Sequence, residues 1–144
     1  MPRKRAAVDA WEAIFRTQVT VLRELMARFP DEHLSFGEYD LLLNLSRTPD
    51  RSARPKDLIP KLLLTQPSVS RMLDRLVERG YLEKSRDPID GRGVVVTMTP
   101  EGDEVFRAAA VAHTSDIVDL LGERLDVDEL ETLQDLLARL RPTD

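Results

Sequence analysis

Between Gln66 and Arg79 the sequence carries one glutamine, two serines and three arginines, all with side chains that donate hydrogen bonds. Wound as a helix, the stretch sets Val69, Met72, Leu73, Leu76 and Val77 on one face. Pro67, Arg71, Asp74, Arg75 and Glu78 fall on the other, with Ser68 and Ser70 at its flanks. A guanidinium can bond both acceptors of a guanine edge and a carboxamide suits adenine, at about 1–3 kcal/mol of discrimination per good pair. Gln66, Ser68 and Arg71 are placed for such reading. Arg75, Ser70 and Lys56 suit phosphate contacts, which set register without reading sequence. An ordinary solvated helix also exposes arginine and serine, so this segment alone leaves both readings open.

The second cluster follows at once. Lys84, Arg86 and Arg92 bracket Asp87-Pro88-Ile89-Asp90-Gly91, a run of turn formers between two strand-like segments, Tyr81 to Arg86 and Gly93 to Met98. An arginine on such a tip can enter a narrow minor groove, where the negative potential is deepest. Asp87 and Asp90 are awkward beside phosphates unless they pair with arginine, which gives Asp90 an orienting role. A plain charged turn is the competing reading, and it weakens once helix and hairpin are taken together.

These groups need a frame. Apolar residues from Trp11 to Phe29 recur at three- and four-residue steps, predicting a first helix over Ala6 to Phe29 that Pro30 ends. Ser35 and Glu38 have the spacing of a capping box, opening a helix that runs to Leu45 or Ser46. Thr48 to Ala53 reads as a polar loop. Pro55 starts a third helix to Leu62, in which Pro60 forces a kink or an early end. A turn at Leu63 to Thr65 leads to the fourth helix, which Thr65 caps and Gly80 terminates. Thr99-Pro100 starts a helix to Arg124, and Asp126 caps a last one striped by Leu130, Leu133, Leu136, Leu137 and Leu140. Helix, tight turn, helix and basic hairpin make a winged helix-turn-helix, in a mostly α chain with a small β-hairpin wing and flanking helices.

Charge and composition set limits. The net charge of −5 argues against a nucleic-acid partner only on average. From Arg54 to Gly93 nine Lys or Arg stand against six acids, a local +3, whereas from Glu101 onwards twelve acids face four bases. The chain has no cysteine, which excludes disulfides, thiol redox sensing and Cys-ligated zinc. Its two histidines, His33 and His113, lack metal-ligand spacing, and no acidic pair has the shielding a general acid needs. Gly91-Arg92-Gly93 precedes a strand, so it is no phosphate loop. An enzyme is disfavoured, no cofactor or metal is expected, and a winged helix serving protein contact would want a less basic face. With no signal-peptide core and no run of the ~20 apolar residues a membrane span needs, a cytoplasmic protein is expected.

The stretch from Leu64-Thr65-Gln66-Pro67-Ser68 through Arg71-Met72-Leu73-Asp74-Arg75 to Gly80-Tyr81 closely resembles the recognition helix of the MarR family of bacterial regulators. Arg86-Asp87-Pro88-Ile89-Asp90-Gly91-Arg92-Gly93 is similar to that family's Asp-x-Arg wing, and Met98-Thr99-Pro100-Glu101-Gly102 to the segment after it. The resemblance covers nearly the whole chain. It implies an obligate homodimer with the first helix and last two intertwined, dividing the chain into an N-terminal dimerisation helix (1–33), a DNA-binding domain (34–98) and C-terminal dimerisation helices (99–144). It further implies a transcriptional regulator, usually a repressor, that binds a pseudo-palindrome in double-stranded DNA and is released by a small, often phenolic or anionic ligand. The roles of Asp90 and Arg92 carry over. Pro60 departs from the pattern of the third helix, and the absence of cysteine removes the peroxide-sensing branch. Trp11, Asp40 and Arg71 sit where the urate-responsive branch has ligand-linked residues, and Glu38 to Leu42 resembles its second helix.

Overall fold

A computed structural model describes residues 1–62 and 66–142. They belong to two units, Phe29–Ala112 and the pair of segments Met1–Arg28 and His113–Asp144, with α1 (Pro2–Arg28) wholly in the second.

In the Phe29–Ala112 unit the expected capping box opens α2 (Phe36–Ser46). The Glu38 N–H donates to Ser35 Oγ at 3.1 Å, and the Ser35 N–H donates to Glu38 Oε1 at 2.9 Å. Leu34 and Tyr39, either side of the cap, are both buried, as a hydrophobic staple requires. The segment expected as a loop is more ordered than that. Pro49–Arg51 form a 3₁₀ turn with Asp50 and Arg51 at φ 55° and 52°, and Ser52–Ala53 form the short strand β1. Two residues are too few to show the alternation by which a strand is recognised.

The third helix, α3 (Pro55–Leu58), is a single turn. It tightens into a 3₁₀ turn over Ile59–Lys61 and gives way to extended backbone at Leu62, so Pro60 does end it early. The turn at Leu63 to Thr65, and the cap expected of Thr65, lie outside the described residues. Helix α4 (Gln66–Glu78) closes at Gly80, whose φ of 81° suits glycine. The Tyr81 N–H donates to the Leu76 carbonyl at 2.9 Å and the Gly80 N–H to the Val77 carbonyl at 3.0 Å, the paired bonds of a Schellman ending.

Strands β2 (Leu82–Arg86) and β3 (Val94–Met98) each start one residue later than expected. Leu82 faces Met98 and Arg86 faces Val94, while β1 adds to the other edge of β3 with Ser52 opposite Thr97. The hairpin is therefore part of a three-stranded antiparallel sheet in the order β1–β3–β2. Between sheet and helices lie Leu41, Leu42, Leu45, Leu58, Val69, Leu76 and Val96, all fully buried. Thr99 ties the sheet's exit to the end of α4: its hydroxyl donates to the Gly80 carbonyl at 2.6 Å and accepts the Gly102 N–H at 3.0 Å, capping α5 (Pro100–Ile117).

The other unit is built differently. Helix α1 begins four residues earlier than expected, with Pro2 at a first-turn position where a missing N–H costs nothing. The helix expected to continue to Arg124 loosens into a π turn at Val118–Gly122, and α6 (Val127–Ala138) opens on a second capping box, Asp126 with Glu129. No residue of α1 or α6 is buried. His113 and Leu120 are the buried residues among those described in this unit. No helix among the described residues is long and apolar enough to cross a membrane.

Candidate nucleic-acid interface

The amphipathic split of α4 is as its periodicity predicts. Val69, Met72, Leu73 and Leu76 are buried, whereas Pro67, Ser70, Arg71, Asp74, Arg75 and Glu78 are exposed and Ser68 is half-buried. Gln66 is the first residue of α4, and the base contact expected of its side chain lies outside the described residues. The first helical turn thus carries Pro67 and Ser68, and the next exposes Ser70 and Arg71. Donors on the leading half of a helix are what a major groove can accommodate. Lys56 is exposed on α3 in the same unit.

Arg79, at the end of the stretch, is committed elsewhere. Its guanidinium lies 3.4 Å from the Glu38 carboxylate, bonds the His33 carbonyl and sits over the Tyr81 ring at 4.9 Å. That arginine anchors the far end of α4 against the start of α2. Lys84, expected to bracket the wing, is engaged at the surface: its ammonium lies 2.5 Å from the exposed Asp74 carboxylate and couples β2 to α4.

The wing tip is a chain of backbone bonds. The Ile89 N–H donates to Asp87 Oδ1 at 2.9 Å and the Arg92 N–H to Asp90 Oδ1 at 3.1 Å. The Gly93 N–H donates to the Asp90 carbonyl at 2.9 Å, and the Asp87 N–H to the Gly93 carbonyl at 3.0 Å. Arg86, Asp90 and Arg92 are exposed. Asp90 thus holds the main chain of Arg92, and among the described residues no ion pair joins their side chains. The arginine-paired carboxylate of the wing is Asp87, which is buried and forms an ion pair with Arg54. The Ile89 N–H and the Arg54 guanidinium together hold the Asp87 carboxyl below the usual carboxylate range, against the opposing effect of its burial.

Arg54 was not among the residues singled out from the sequence. A signal for it exists in the Arg54-Pro55 pair, since proline forces the preceding residue into extended backbone and so aims its side chain out of the helix (φ −76°, ψ 140°). Nothing local identifies its partner, which lies beyond two helices and a strand. The Ser52–Thr97 hydroxyl pair at 2.5 Å, joining β1 to β3, was equally out of reach.

The three residues linked to ligand binding occupy separate settings. Trp11 is on α1, largely exposed, with its ring 5.9 Å from that of Phe15. Asp40 is half-buried on α2, accepts an Asn44 amide bond at 3.4 Å and has its pKa raised by burial, which outweighs the nearby Arg47. Arg71 is exposed on α4, and among the described residues no ion pair joins it to Asp40.

With this geometry in place, residues 32–93 match the family model described as "MarR family". The chain is 34% identical over 88 residues to the multiple antibiotic resistance protein MarR of Salmonella typhimurium, covering 61% of each protein. It is 28% identical over 138 residues to an HTH-type transcriptional regulator of Mycobacterium tuberculosis, covering 94% of this chain and 92% of that one. The matched segment, residues 32–93, is of the MarR family type. Among solved structures it is similar to a mutant MarR from E. coli complexed with operator DNA, with a TM-score of 0.79, 25% identity and coverage of 95% of this chain and 96% of that one. The aligned segment spans about three fifths of the length of the Salmonella MarR. The region matched by the MarR model takes in α2, α3, α4, β2 and the whole wing tip, so it contains every candidate DNA contact named above.

Proposed function

We propose that the chain is a sequence-specific DNA-binding transcriptional regulator, working as a homodimer in the cytoplasm and repressing genes near its own. The observation that carries this reading is a single unit exposing Ser70, Arg71 and Arg75 on α4 together with Arg86 and Arg92 on the wing. The family match agrees with it, MarR proteins being DNA-binding transcription regulators rather than enzymes. In this reading Gln66, Pro67, Ser68 and Arg71 meet base edges in the major groove. Lys56, Ser70, Arg75 and Arg86 hold phosphates, and Asp90 aims Arg92 at the adjacent minor groove.

The dimer rests on the apolar residues left uncovered outside the Phe29–Ala112 unit. Residues 1–33 and 99–144 would supply the dimerisation helices around a DNA-binding domain at 34–98. An open groove of 960 Å³ runs along α1 and α6, lined by Ala7, Trp11, Ile14, Leu137 and Leu140, and a second copy's helices would fill it. Release from a pseudo-palindromic operator would follow binding of a small anionic or phenolic molecule. Trp11, Asp40 and Arg71 are the residues to probe for urate or a related purine.

Fluorescence polarisation with DNA from upstream of the protein's own gene tests the reading. Affinity should fall steeply with salt, because each neutralised phosphate releases counterions. Arg92→Ala should weaken binding to all sites, whereas Arg71→Ala should cost about 1–3 kcal/mol and relax sequence preference. Binding that ignores salt, or equal unspecific losses from both variants, would overturn it.

A further inference from the structure

Arg54 occupies the N-cap of α3, a position that favours Ser, Thr, Asp or Asn, and makes no capping bond there. Its guanidinium instead reaches the Asp87 carboxylate at the base of the wing, on the far side of β3 from β1. The Asp87 side chain is only 3% exposed and that of Arg54 29%, so the pair is largely shielded from water. Gly93 closes the arrangement. A Cβ on Gly93 would lie 3.3 Å from Asp87 Cβ and 3.4 Å from its Oδ2, close enough to push against the carboxylate.

From this carboxylate the order of the wing tip follows step by step. Asp87 Oδ1 takes the Ile89 N–H, the Asp90 carboxylate takes the Arg92 N–H, and the Asp90 carbonyl takes the Gly93 N–H. Arg92 is thus the last link of a chain whose first is Arg54.

We propose that Arg54 is a positioning residue for the wing: by pairing with the buried Asp87 carboxylate across β3 it locks the 87–93 turn to the start of α3, so that helix and wing tip meet DNA in one fixed arrangement. A buried carboxylate deprived of its counter-charge is strongly disfavoured, so loss of Arg54 frees the turn rather than leaving it intact. The consequence for DNA rests on the regulator reading above; the lock itself is a property of the free protein.

Two measurements keep these apart. In hydrogen exchange on the free protein, Arg54→Ala should speed exchange at the Asp87, Ile89, Arg92 and Gly93 amides by about tenfold or more, leaving those of Leu73 to Val77 in α4 unchanged. Arg54→Lys, which keeps the charge, should restore most of the protection; Asp87→Asn and Gly93→Ala should each reproduce the loss. Unchanged wing exchange, or a uniform rise through α4 as well, would overturn the proposal, the latter marking Arg54 as a general stabiliser. In DNA titrations Arg54→Ala should erase A·T-over-G·C preference at the flanks of the site while keeping base preference in the half-site core. A reduced salt slope with the wing still protected would instead make Arg54 a phosphate contact, again overturning it. If the unmodified protein binds no DNA, the regulator reading fails while hydrogen exchange still decides the lock.

Discussion

The two units of this chain answer the same apolar periodicity in opposite ways. In Phe29–Ala112 the stripes of α2 and α4 meet a sheet and disappear: Leu41, Leu42, Leu45, Val69 and Leu76 are fully buried. In the other unit α1 and α6 carry equally regular stripes, yet Trp11, Phe15, Leu136 and Leu140 remain between 52% and 69% exposed. Each large apolar side chain that leaves water is worth about 1.5–3 kcal/mol. The first unit realises that gain within one chain, and the second does not. A stripe in sequence therefore says that a face will be covered, not what covers it. The contrast separates a part of the molecule that buries its own apolar faces from a part that leaves them uncovered, which the proposed dimer would cover.

The largest effect expected is on that association. Leu136→Glu combined with Leu140→Glu should turn a dimer into a monomer in sedimentation at micromolar concentration. With two half-sites no longer linked, DNA affinity should drop about a hundredfold or more. The same pair of changes should leave hydrogen exchange in α2 and α4 at its original protection. If the α2 and α4 amides open as well, the units are not independent and the comparison breaks.

The opposite perturbation belongs inside the closed unit. A Cβ on Gly102 would fall 2.1 Å from the Tyr81 carbonyl oxygen, which already accepts the Thr99 N–H at 3.1 Å. Backbone on both sides must move, so Gly102→Ala should destabilise by about 1–3 kcal/mol in chemical denaturation. Its dimer dissociation constant should stay put. A tolerated alanine would show the α4–wing–α5 junction to be looser than its geometry.

What could be read in advance divides along local and long-range lines. The Ser35–Glu38 box, the glycine stop at Gly80, the early end at Pro60 and the hairpin tip are all written within a few residues, and all are present. The face of α4 was legible for the same reason, because helical spacing fixes which side chains share a side. Strand β1 was missed because two residues show no period and its partner is more than forty positions away. Arg54 was missed because its meaning lies in Asp87, which the sheet brings near. The π turn at Val118–Gly122 has no sequence signature comparable to a proline or a glycine cap. Lys84 and Arg79 illustrate the converse error of composition: both count towards the basic face, yet both are spent on intramolecular pairs.

The two capping boxes sharpen the comparison, because the same local device serves each unit. Ser35→Ala and Asp126→Ala should each cost about 1 kcal/mol through one lost cap bond. For Ser35 the loss should be independent of protein concentration, since α2 is packed within its own unit. For Asp126 it should shrink as concentration rises, since packing of α6 against a second copy would compensate for a frayed first turn. Thermal melts at two concentrations a hundredfold apart check both. Equal concentration dependence in the two variants would erase the distinction between the units.

The smallest effect expected is one of pH, and it reports on His113, the buried polar residue of the exposed unit. Burial lowers its pKa, with Asp116 pulling the other way. The unfolded chain then holds the proton more tightly than the folded one, so protonation favours unfolding. Above the ordinary histidine value both states are neutral and no penalty exists. As pH falls through that value the penalty grows, and it levels off once pH is below the folded-state pKa. Melting temperature should therefore decline between pH 8 and pH 5, and His113→Gln should flatten part of that decline. If the decline survives His113→Gln intact, burial of this imidazole contributes nothing to the pH response, and the unit without a core has no titrating group inside it.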